Sequence, residues 1–569
     1  MKLRTSHHMK RLYPAAFLSV LCATGFAVGR TIPAGPPPAD VADIADFQHA
    51  DIDTKLAGTT LQGIVNQGKE ARVLLQLSPL PPGHPNFWVE ELKRKGYVKE
   101  VNPLTVEQYF DKYLPGAKGL VVYDPAVPGT MNVATMIAGV EQRMVVAPND
   151  VAKYRDRAPD VLDLRGRWTT NAAGYAWAYE TLWPKMNRDI VATYHYTHTN
   201  HHLRDYLVNQ RVFTFWVTGQ GQDTEAYADR EAEKAVAEKV LADTPPNIPI
   251  IGWWSEAKDH GMTEYGGVGW AGEYGKITIG TDWQTNLSFL SGVPVPMDQV
   301  TKRFREREVI HRHLAVEAGK IYICFAIMES GDSPTYWHSV QRNVWADPKR
   351  GDIPVAWTIT TALPEMLPTV AEWYLDNATP NDHFIASIGG WGYCHPYRGL
   401  MGKTPDPEAA WDAYLTSTAA GMRRLGLVDL GLYTDAWLPF RRSEKDPITR
   451  RFAKGIPGLR SLVMGMGRDA EITTTEPHYR LGDTLVSHIF TRWDATRVTV
   501  RGDSMNQWLA NEIRQQTPRG RPAFMFVHAL SWSYHPSDLV AVAENLGEDY
   551  VIVSPAELIE LINGRLAKE

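Results

Sequence analysis

The second half of the chain alternates between short apolar runs and segments with helical periodicity, and this alternation restricts the fold more than any other feature. The apolar runs have the length and the β-branched and aromatic content of buried strands. About eight such runs, most of them followed by a helical segment, predict a barrel or a barrel-like sheet. The predicted strands are 320–328, 354–359, 383–387, 428–433, 460–464, 484–489, 523–528 and 550–553.

The chain before residue 299 shows the same alternation in shorter form. At 569 residues the chain is too long for one ordinary domain, since domains usually have about 100–200 residues. Strand-length apolar runs followed by helices favour parallel α/β layers here. The fold class is therefore α/β, with two N-terminal α/β domains before a barrel-like domain. The expected division is 41–150, 151–298 and 299–569.

The stretch 261–280 is rich in glycine and aromatic residues, and its segment 267–272 spells GxGxxG. A phosphate-binding use of that pattern requires a preceding strand and a helix that begins within it. No such context is predicted, so the stretch is interpreted as a loop, and no organic cofactor is expected.

The N-terminus has the pattern of a secretory signal. Basic residues, among them Lys10 and Arg11, precede an apolar stretch at 12–28, and small residues follow. We predict a signal peptide at 1–29 and a secreted or periplasmic protein without a stable membrane span after cleavage. A membrane anchor is the alternative, although Pro14 weakens it. The net charge of −6 is too mild to indicate nucleic acid as a partner.

Acidic residues follow two of the predicted C-terminal strands. Glu329 and Asp332 come after the first strand, and Asp435 comes after the fourth. The carboxyl ends of barrel strands are where catalytic groups collect, so these side chains are expected to face one cleft. Glycosidic cleavage needs one carboxylic acid and a second carboxylate. Helix capping or a turn is the alternative role for each of them.

Aromatic residues accompany these strand ends and are candidates for stacking on sugar rings. Trp391, Tyr393, Trp437 and Trp532 lie in the predicted loops, and the polar–aromatic pair Asp282 and Trp283 lies in the second domain. Core packing is the alternative for each aromatic ring, and helix capping is the alternative for Asp282.

Histidines permit a second chemistry. His395, His528 and His535 belong to the same strand ends, and with Asp332 they offer ligands for a divalent metal. A hydrogen-bonding role for His395 and His528 in substrate binding is the alternative. The cluster of His195, His198, His201 and His202 also has ligand spacing, but it lacks nearby carboxylates and is interpreted as a polar surface.

The segment Gly390-Trp391-Gly392-Tyr393-Cys394-His395-Pro396 resembles the signature of the GxGYxYP putative glycoside hydrolases. It has His395 where the family has a second Tyr. The segments 61–66, 281–288 and 345–357 also resemble the family, so the resemblance extends over nearly all of the chain after residue 60. It implies an exported, carbohydrate-associated protein with N-terminal α/β domains and a C-terminal domain similar to glycoside hydrolase or deacetylase folds.

One departure from the family concerns the end of the first C-terminal strand. The family tends to read Asp-Gly-Asp-Asn, whereas this chain reads Ser330-Gly331-Asp332-Ser333. The first acid is missing, Asp332 is retained, and Glu329 stands one place earlier.

The leading hypothesis is a glycoside hydrolase acting on a polysaccharide or glycoconjugate, with Asp332 and Asp435 as the acid/base pair and Glu329 as a substitute partner. One alternative is a metal-dependent deacetylase-like enzyme. A non-catalytic glycan-binding protein is the other. The sequence leaves substrate, linkage and oligomeric state open.

Overall fold

A computed structural model describes residues 31–77, 87–196, 201–219, 225–254, 262–328, 331–433, 442–465, 476–491 and 503–567. Two small parallel sheets begin the chain, with strand orders β2-β1-β3 and β5-β4-β6. Helix α1 packs against β5 and so joins the two sheets. The second sheet runs beyond residue 150, because β6 pairs with β4. Their elements are β1 (Pro38–Asp46), α1 (Ile52–Val65), β2 (Ala71–Gln76), α2 (Phe87–Arg94), β3 (Glu100–Leu104), α3 (Val106–Tyr113), β4 (Gly119–Val122), α4 (Thr130–Glu141), β5 (Arg143–Val146), α5 (Val151–Tyr154), β6 (Val161–Asp163) and α6 (Asn171–Thr181).

A third parallel sheet follows, with the order β10-β9-β7-β8. Its strands are short and fully buried, as expected where helices cover both faces of a parallel sheet. Its elements are β7 (Val191–Thr193), α7 (Arg204–Asn209), β8 (Phe213–Phe215), α8 (Arg230–Ala242), β9 (Ile248–Gly252), α9 (Glu264–Glu273), β10 (Lys276–Gly280), α10 (Leu287–Leu290) and α11 (Met297–Glu306).

The interpretation of 261–280 as a loop is wrong, because this stretch contains α9 and β10. The side chain of Thr263 caps α9 by accepting a hydrogen bond from the backbone N–H of Gly266. A glycine is required at Gly267, where a Cβ atom would lie 2.3 Å from Trp254. The glycines thus permit close packing rather than marking a loop.

The C-terminal half forms a nine-stranded sheet with the path β16-β17-β15-β14-β13-β12-β11-β18, and β19 pairs with β11. Its elements are β11 (Ile321–Ile327), α12 (Pro334–His338), α13 (Gln341–Trp345), β12 (Val355–Ile359), α14 (Leu363–Met366), α15 (Pro368–Asp376), β13 (Asp382–Ala386), α16 (Pro407–Leu425), β14 (Asp429–Leu432), α17 (Arg442–Gly455), β15 (Ser461–Met464), β16 (His478–Leu481), β17 (Thr484–His488), α18 (Asp503–Gln516), β18 (Ala523–His528), α19 (Pro536–Leu546), β19 (Tyr550–Ile552) and α20 (Pro555–Leu566).

The α/β fold class and the barrel-like C-terminal sheet are confirmed. All eight predicted C-terminal strands are present, and the added β16 pairs antiparallel to β17. The sheet curls until the end of β17 reaches β18 through the single bridge between Ile489 and Phe526. Because β11 to β15, β17 and β18 run parallel, their carboxyl ends share one edge.

No helix in the described ranges is long and apolar enough to cross a membrane.

Candidate functional site

The loop 390–396 joins the C-terminal sheet to the third sheet. The backbone of Tyr393 exchanges two hydrogen bonds with Thr278 of β10, at 2.8 and 3.1 Å. Gly392 allows this approach, because a Cβ atom there would lie 2.5 Å from Ile279. Trp391 is buried in the same contact and donates to the Asn247 side chain at 2.7 Å. The loop therefore places Tyr393 and the residues after it between the two sheets.

An aromatic cluster forms around His395 at this junction. Its ring centroid lies 4.4 Å from that of Tyr265 on α9, 4.9 Å from that of Tyr433 after β14 and 5.3 Å from that of Tyr393. Arg398 covers the ring of Tyr265, and its guanidinium carbon lies 3.9 Å from the centre of that ring. Helix α9, the end of β14 and the loop 390–396 thus contribute residues to one cluster.

Two members of this cluster, His395 and Tyr265, have buried polar atoms without a hydrogen-bond partner among the described residues. His395 is 2% exposed, and neither of its ring nitrogens has a hydrogen-bond partner in the described part of the chain. The buried hydroxyl of Tyr265 likewise lacks one. Burial, with a smaller contribution from Arg398, lowers the pKa of His395 to about 3, so the ring is neutral. A neutral imidazole offers one donor and one acceptor, and each can pair with a hydroxyl group.

Asp332 lies just beyond the carboxyl end of β11 and is 5% exposed. Its turn packs closely on β12, since a Cβ atom at Gly331 would lie 2.0 Å from the carbonyl oxygen of Thr358. Burial raises the pKa of Asp332 to about 6, against the opposing effect of its own backbone N–H. No side chain of the described residues forms a hydrogen bond with the carboxyl group of Asp332. The site therefore holds a carboxylic acid that is half-protonated near pH 6.

Tyr393 connects this acid to the aromatic cluster. Burial raises the pKa of Tyr393 most, and the negative charge of Glu264, the phenol of Tyr433 and the charge of Asp332 raise it further. The Tyr393 hydroxyl donates to Glu264 at 3.0 Å, and its ring stacks on Trp253 at 5.9 Å. The ends of β13 and β14 therefore meet through these rings, and Asp332 after β11 is near enough for its charge to act on Tyr393.

Glu264 is a carboxylate that the sequence did not single out. It lies in the first turn of α9 and faces the loop 390–396 through its bond with Tyr393. The sequence did not predict this helix, because glycines lower helical propensity, and Glu264 was therefore assigned to a loop. The signal that was available is Thr263, a favourable helix N-cap directly before Glu264.

A second aromatic group lies at the surface. Trp283 is 44% exposed and Trp532 is 41% exposed, and their rings meet edge to face at 6.5 Å. The buried ring of Tyr336, on the helix that follows Asp332, supports Trp532 at 4.9 Å. Asp282 is half-buried beside Trp283, and its backbone carbonyl accepts from the Tyr194 hydroxyl at 3.4 Å. Exposed Trp faces near a strand edge are suited to stacking on sugar rings.

His528 ends β18 and is completely buried. Its Nδ1 lies 3.2 Å from the backbone nitrogen of Met328 and 3.3 Å from the carbonyl oxygen of Ala326, and its Nε2 has no partner in the described part of the chain. Burial lowers its pKa to about 4. His535 lies at the start of α19, where its backbone N–H donates to Asp538 at 3.0 Å.

Three of the predicted site residues, Glu329, Asp435 and Trp437, lie outside the described residues, as does His198. Within those ranges, Asp332, His395 and His528 do not bring three ligand atoms to metal-binding separation, and neither do the histidines of 195–202.

Three family models match the chain. The GxGYxYP putative glycoside hydrolase C-terminal domain matches 319–563, the GxGYxYP third domain matches 188–292, and the GxGYxYP_N second domain matches 117–186. The candidate site is thus built from residues of the third and C-terminal domain matches. No curated protein sequence matches the chain significantly.

Among solved structures, the chain is similar to a putative hydrolase from Bacteroides thetaiotaomicron VPI-5482. The two are 18% identical and superpose with a TM-score of 0.74 over 94% of this chain and 97% of the other, which establishes a common fold. A putative polysaccharide deacetylase from Mycobacterium smegmatis matches at 10% identity and a TM-score of 0.30, over 46% of this chain and 95% of the other.

Proposed function

Because the chain belongs to the GxGYxYP putative glycoside hydrolase family, we propose that it is an exported hydrolase that cleaves glycosidic bonds in a polysaccharide or glycoconjugate. The observation that carries the proposal is the buried acid Asp332, whose charge acts on Tyr393 in an aromatic cluster where His395 and Tyr265 have buried polar atoms without a hydrogen-bond partner among the described residues. Such groups destabilise a protein unless a ligand satisfies them.

Asp332 is the proposed general acid. Protonation of the leaving oxygen requires a carboxyl group that is still protonated near the working pH, and a pKa of about 6 meets that requirement. Above pH 6 the group ionises, so turnover should fall as the pH rises.

The second carboxylate is proposed to come from the facing wall of the site. Glu264 is suited to this role because it bonds to Tyr393, whose phenol is also influenced by the charge of Asp332. Asp435 and Glu329 remain candidates for the same role, because they follow the strands that precede the site. Single Asn or Gln substitutions at these three positions identify the partner by the largest loss of turnover.

Sugar binding is assigned to two groups of rings. His395, Tyr265 and Tyr433 are proposed to contact the sugar at the cleaved bond, where His395 hydrogen-bonds to a hydroxyl group. Trp283 and Trp532 are proposed to stack on more distant sugars of an extended chain. Trp391 is enclosed between the sheets and is proposed to position the loop.

The test is sugar release from a panel of polysaccharides by the native protein, the Asp332→Asn variant and the Asp483→Asn variant. Asp483 is an exposed residue in the turn between β16 and β17, which makes it a matched control. We expect release by the native protein and the control and almost none by Asp332→Asn.

Two outcomes would contradict the proposal. Acetate release that a chelator abolishes, without sugar release, indicates the deacetylase chemistry. Tight glycan binding with no turnover of any glycan indicates a binding protein.

A further inference from the structure

The connector 307–319 leads from α11 to β11 and crosses the last helix, α20. Two histidines on this connector, His311 and His313, meet Glu560 of α20 at the protein surface. His311 Nε2 lies 3.0 Å from one carboxylate oxygen of Glu560, and His313 Nδ1 lies 3.7 Å from the other. Within the described ranges, these three residues are the only His, Cys, Asp or Glu side chains that gather three potential ligand atoms within 4.8 Å of one another.

We propose that His311, His313 and Glu560 form a binding site for a divalent transition-metal ion such as Zn²⁺. Zinc binds imidazole nitrogen and carboxylate oxygen at about 2.0–2.2 Å in a tetrahedral arrangement, which sets the ligand atoms about 3.3 Å apart. The two histidines approach different oxygens of Glu560, at 3.0 and 3.7 Å, and one ligand atom from each of the three residues lies within 4.8 Å of the others, so rotation of these exposed side chains can bring them to that spacing. All three side chains are exposed, so water is available to complete the coordination.

The protein holds these ligands in place through the residues between and after them. Arg312, which separates the two histidines, bonds to both carboxylate oxygens of Glu557, at 3.0 and 2.9 Å, and to the carbonyl oxygen of Ile552 at 2.7 Å. Glu557 is buried and is itself fixed by the N-terminal cap of α20. Glu560 is one turn further along the same helix, so the anchor and the carboxylate ligand share one rigid element.

The connector is also fixed on its other side. Leu314 packs against an apolar cluster that includes residues of β11 and α20. The hydroxyl of Tyr322 donates to the carbonyl oxygen of Ala315 at 3.1 Å and accepts from the backbone N–H of Glu317 at 2.9 Å. His313 thus stands between two attachment points. Little ordering of the backbone is required when a metal binds, which favours affinity.

A bound ion would join the connector to α20, which are 249 residues apart at this contact. A ligand that binds only the folded state raises its stability. We therefore infer that the site stabilises the attachment of the last helix to the barrel. The residues of this site are separate from those of the candidate active site, so the inference does not rest on the proposed function.

The test is titration of the full chain with Zn²⁺ by calorimetry, comparing the native protein, the His311→Ala/His313→Ala double variant and Glu560→Gln. His49→Ala is the matched control, because His49 is an exposed histidine of the N-terminal region. The chain also has histidines at 7–8 and 195–202, so the site is identified by the difference between variants.

We expect the double variant to bind one Zn²⁺ fewer per chain, and Glu560→Gln to bind that ion at least about tenfold more weakly. His49→Ala should match the native protein. Zinc should raise the unfolding temperature of the native protein above its own metal-free value and leave that of the double variant at its own metal-free value. Equal stoichiometry and affinity in the native protein and the double variant would overturn the proposal, since any bound zinc would then be adventitious.

Discussion

The carboxyl group of Asp332 is buried, and burial raises its pKa to about 6. The difference from the ordinary value of 3.8 corresponds to about 3 kcal/mol, which the folded protein loses when this carboxyl is ionised. Neutral, well-packed side chains are the stable choice at such positions. A buried acid kept at a strand end is therefore better explained by chemistry than by folding.

The Asp332→Asn variant tests this directly through stability. Below about pH 4 the carboxyl group is protonated in both the folded and the unfolded chain, so the substitution should be nearly neutral there. Above about pH 6 the native protein contains a buried carboxylate, and the variant should be more stable by up to about 3 kcal/mol. Thermal unfolding at pH 4 and pH 8, with Asp483→Asn as control, measures the difference. A variant that is less stable at pH 8 would contradict the assigned environment.

His395 provides the second prediction for a single residue. His395→Phe keeps a ring against Tyr265 and Tyr433 but removes two buried nitrogens that have no partner in the described part of the chain. Removing such atoms should leave the unfolding temperature equal or higher. Substrate turnover should fall about 5- to 150-fold, since a lost hydrogen bond to a ligand costs about 1–3 kcal/mol. Reduced stability with unchanged kinetics would make His395 a packing residue.

Helix α9 is an element that the sequence pattern did not predict. Its glycines weaken helical propensity, and their packing partners, such as Trp254 and His395, become visible only in three dimensions. The C-terminal strands were predicted well because both faces are buried, which produces continuous apolar runs. Glu264 was not singled out because its helix was not predicted, whereas Asp332 was singled out because it follows an unambiguous strand.

Two glycines of α9 should respond oppositely to alanine. A Cβ atom at Gly267 would lie 2.3 Å from Trp254, so Gly267→Ala should destabilise the protein by about 1–3 kcal/mol. At Gly269 the nearest atom would be His395 Cδ2 at 3.8 Å, so Gly269→Ala should stabilise the helix by about 0.5–1 kcal/mol. Urea unfolding of both variants measures the contrast. Equal effects would contradict the close packing of α9 on Trp254.

The whole molecule places its candidate site between two sheets that are far apart in sequence. The C-terminal sheet contributes Asp332 and Tyr433, and the third sheet contributes Glu264 and Tyr265 through α9. The sequence predicts where the strands end. It also predicts that their carboxyl ends lie at one edge, because parallel strands have a fixed geometry. The docking of β10 against the loop 390–396 does not follow from the sequence, because it depends on how the side chains of two layers distant in sequence pack together.

Gly392→Val should disturb this docking. The new side chain would meet Ile279, Ile277 and the backbone of Thr278, so the loop would move away from β10. We expect a lower unfolding temperature and a loss of turnover together. Gly520→Val is the control, because nothing lies within 4 Å of a Cβ atom at that position. Unchanged turnover in Gly392→Val would show that the candidate site does not depend on the docking of the loop on β10.

If Asp332 acts as a protonated acid at this junction, the pH dependence of kcat/KM reveals it most directly. On a substrate from the polysaccharide panel, kcat/KM of the native protein should fall above about pH 6, as Asp332 ionises. Asp332→Asn should lose about 10²–10⁴-fold of the native value below pH 6, the usual contribution of a general acid. A native profile that stays flat to pH 8, with an Asp332→Asn variant as active as the native protein, would contradict the account.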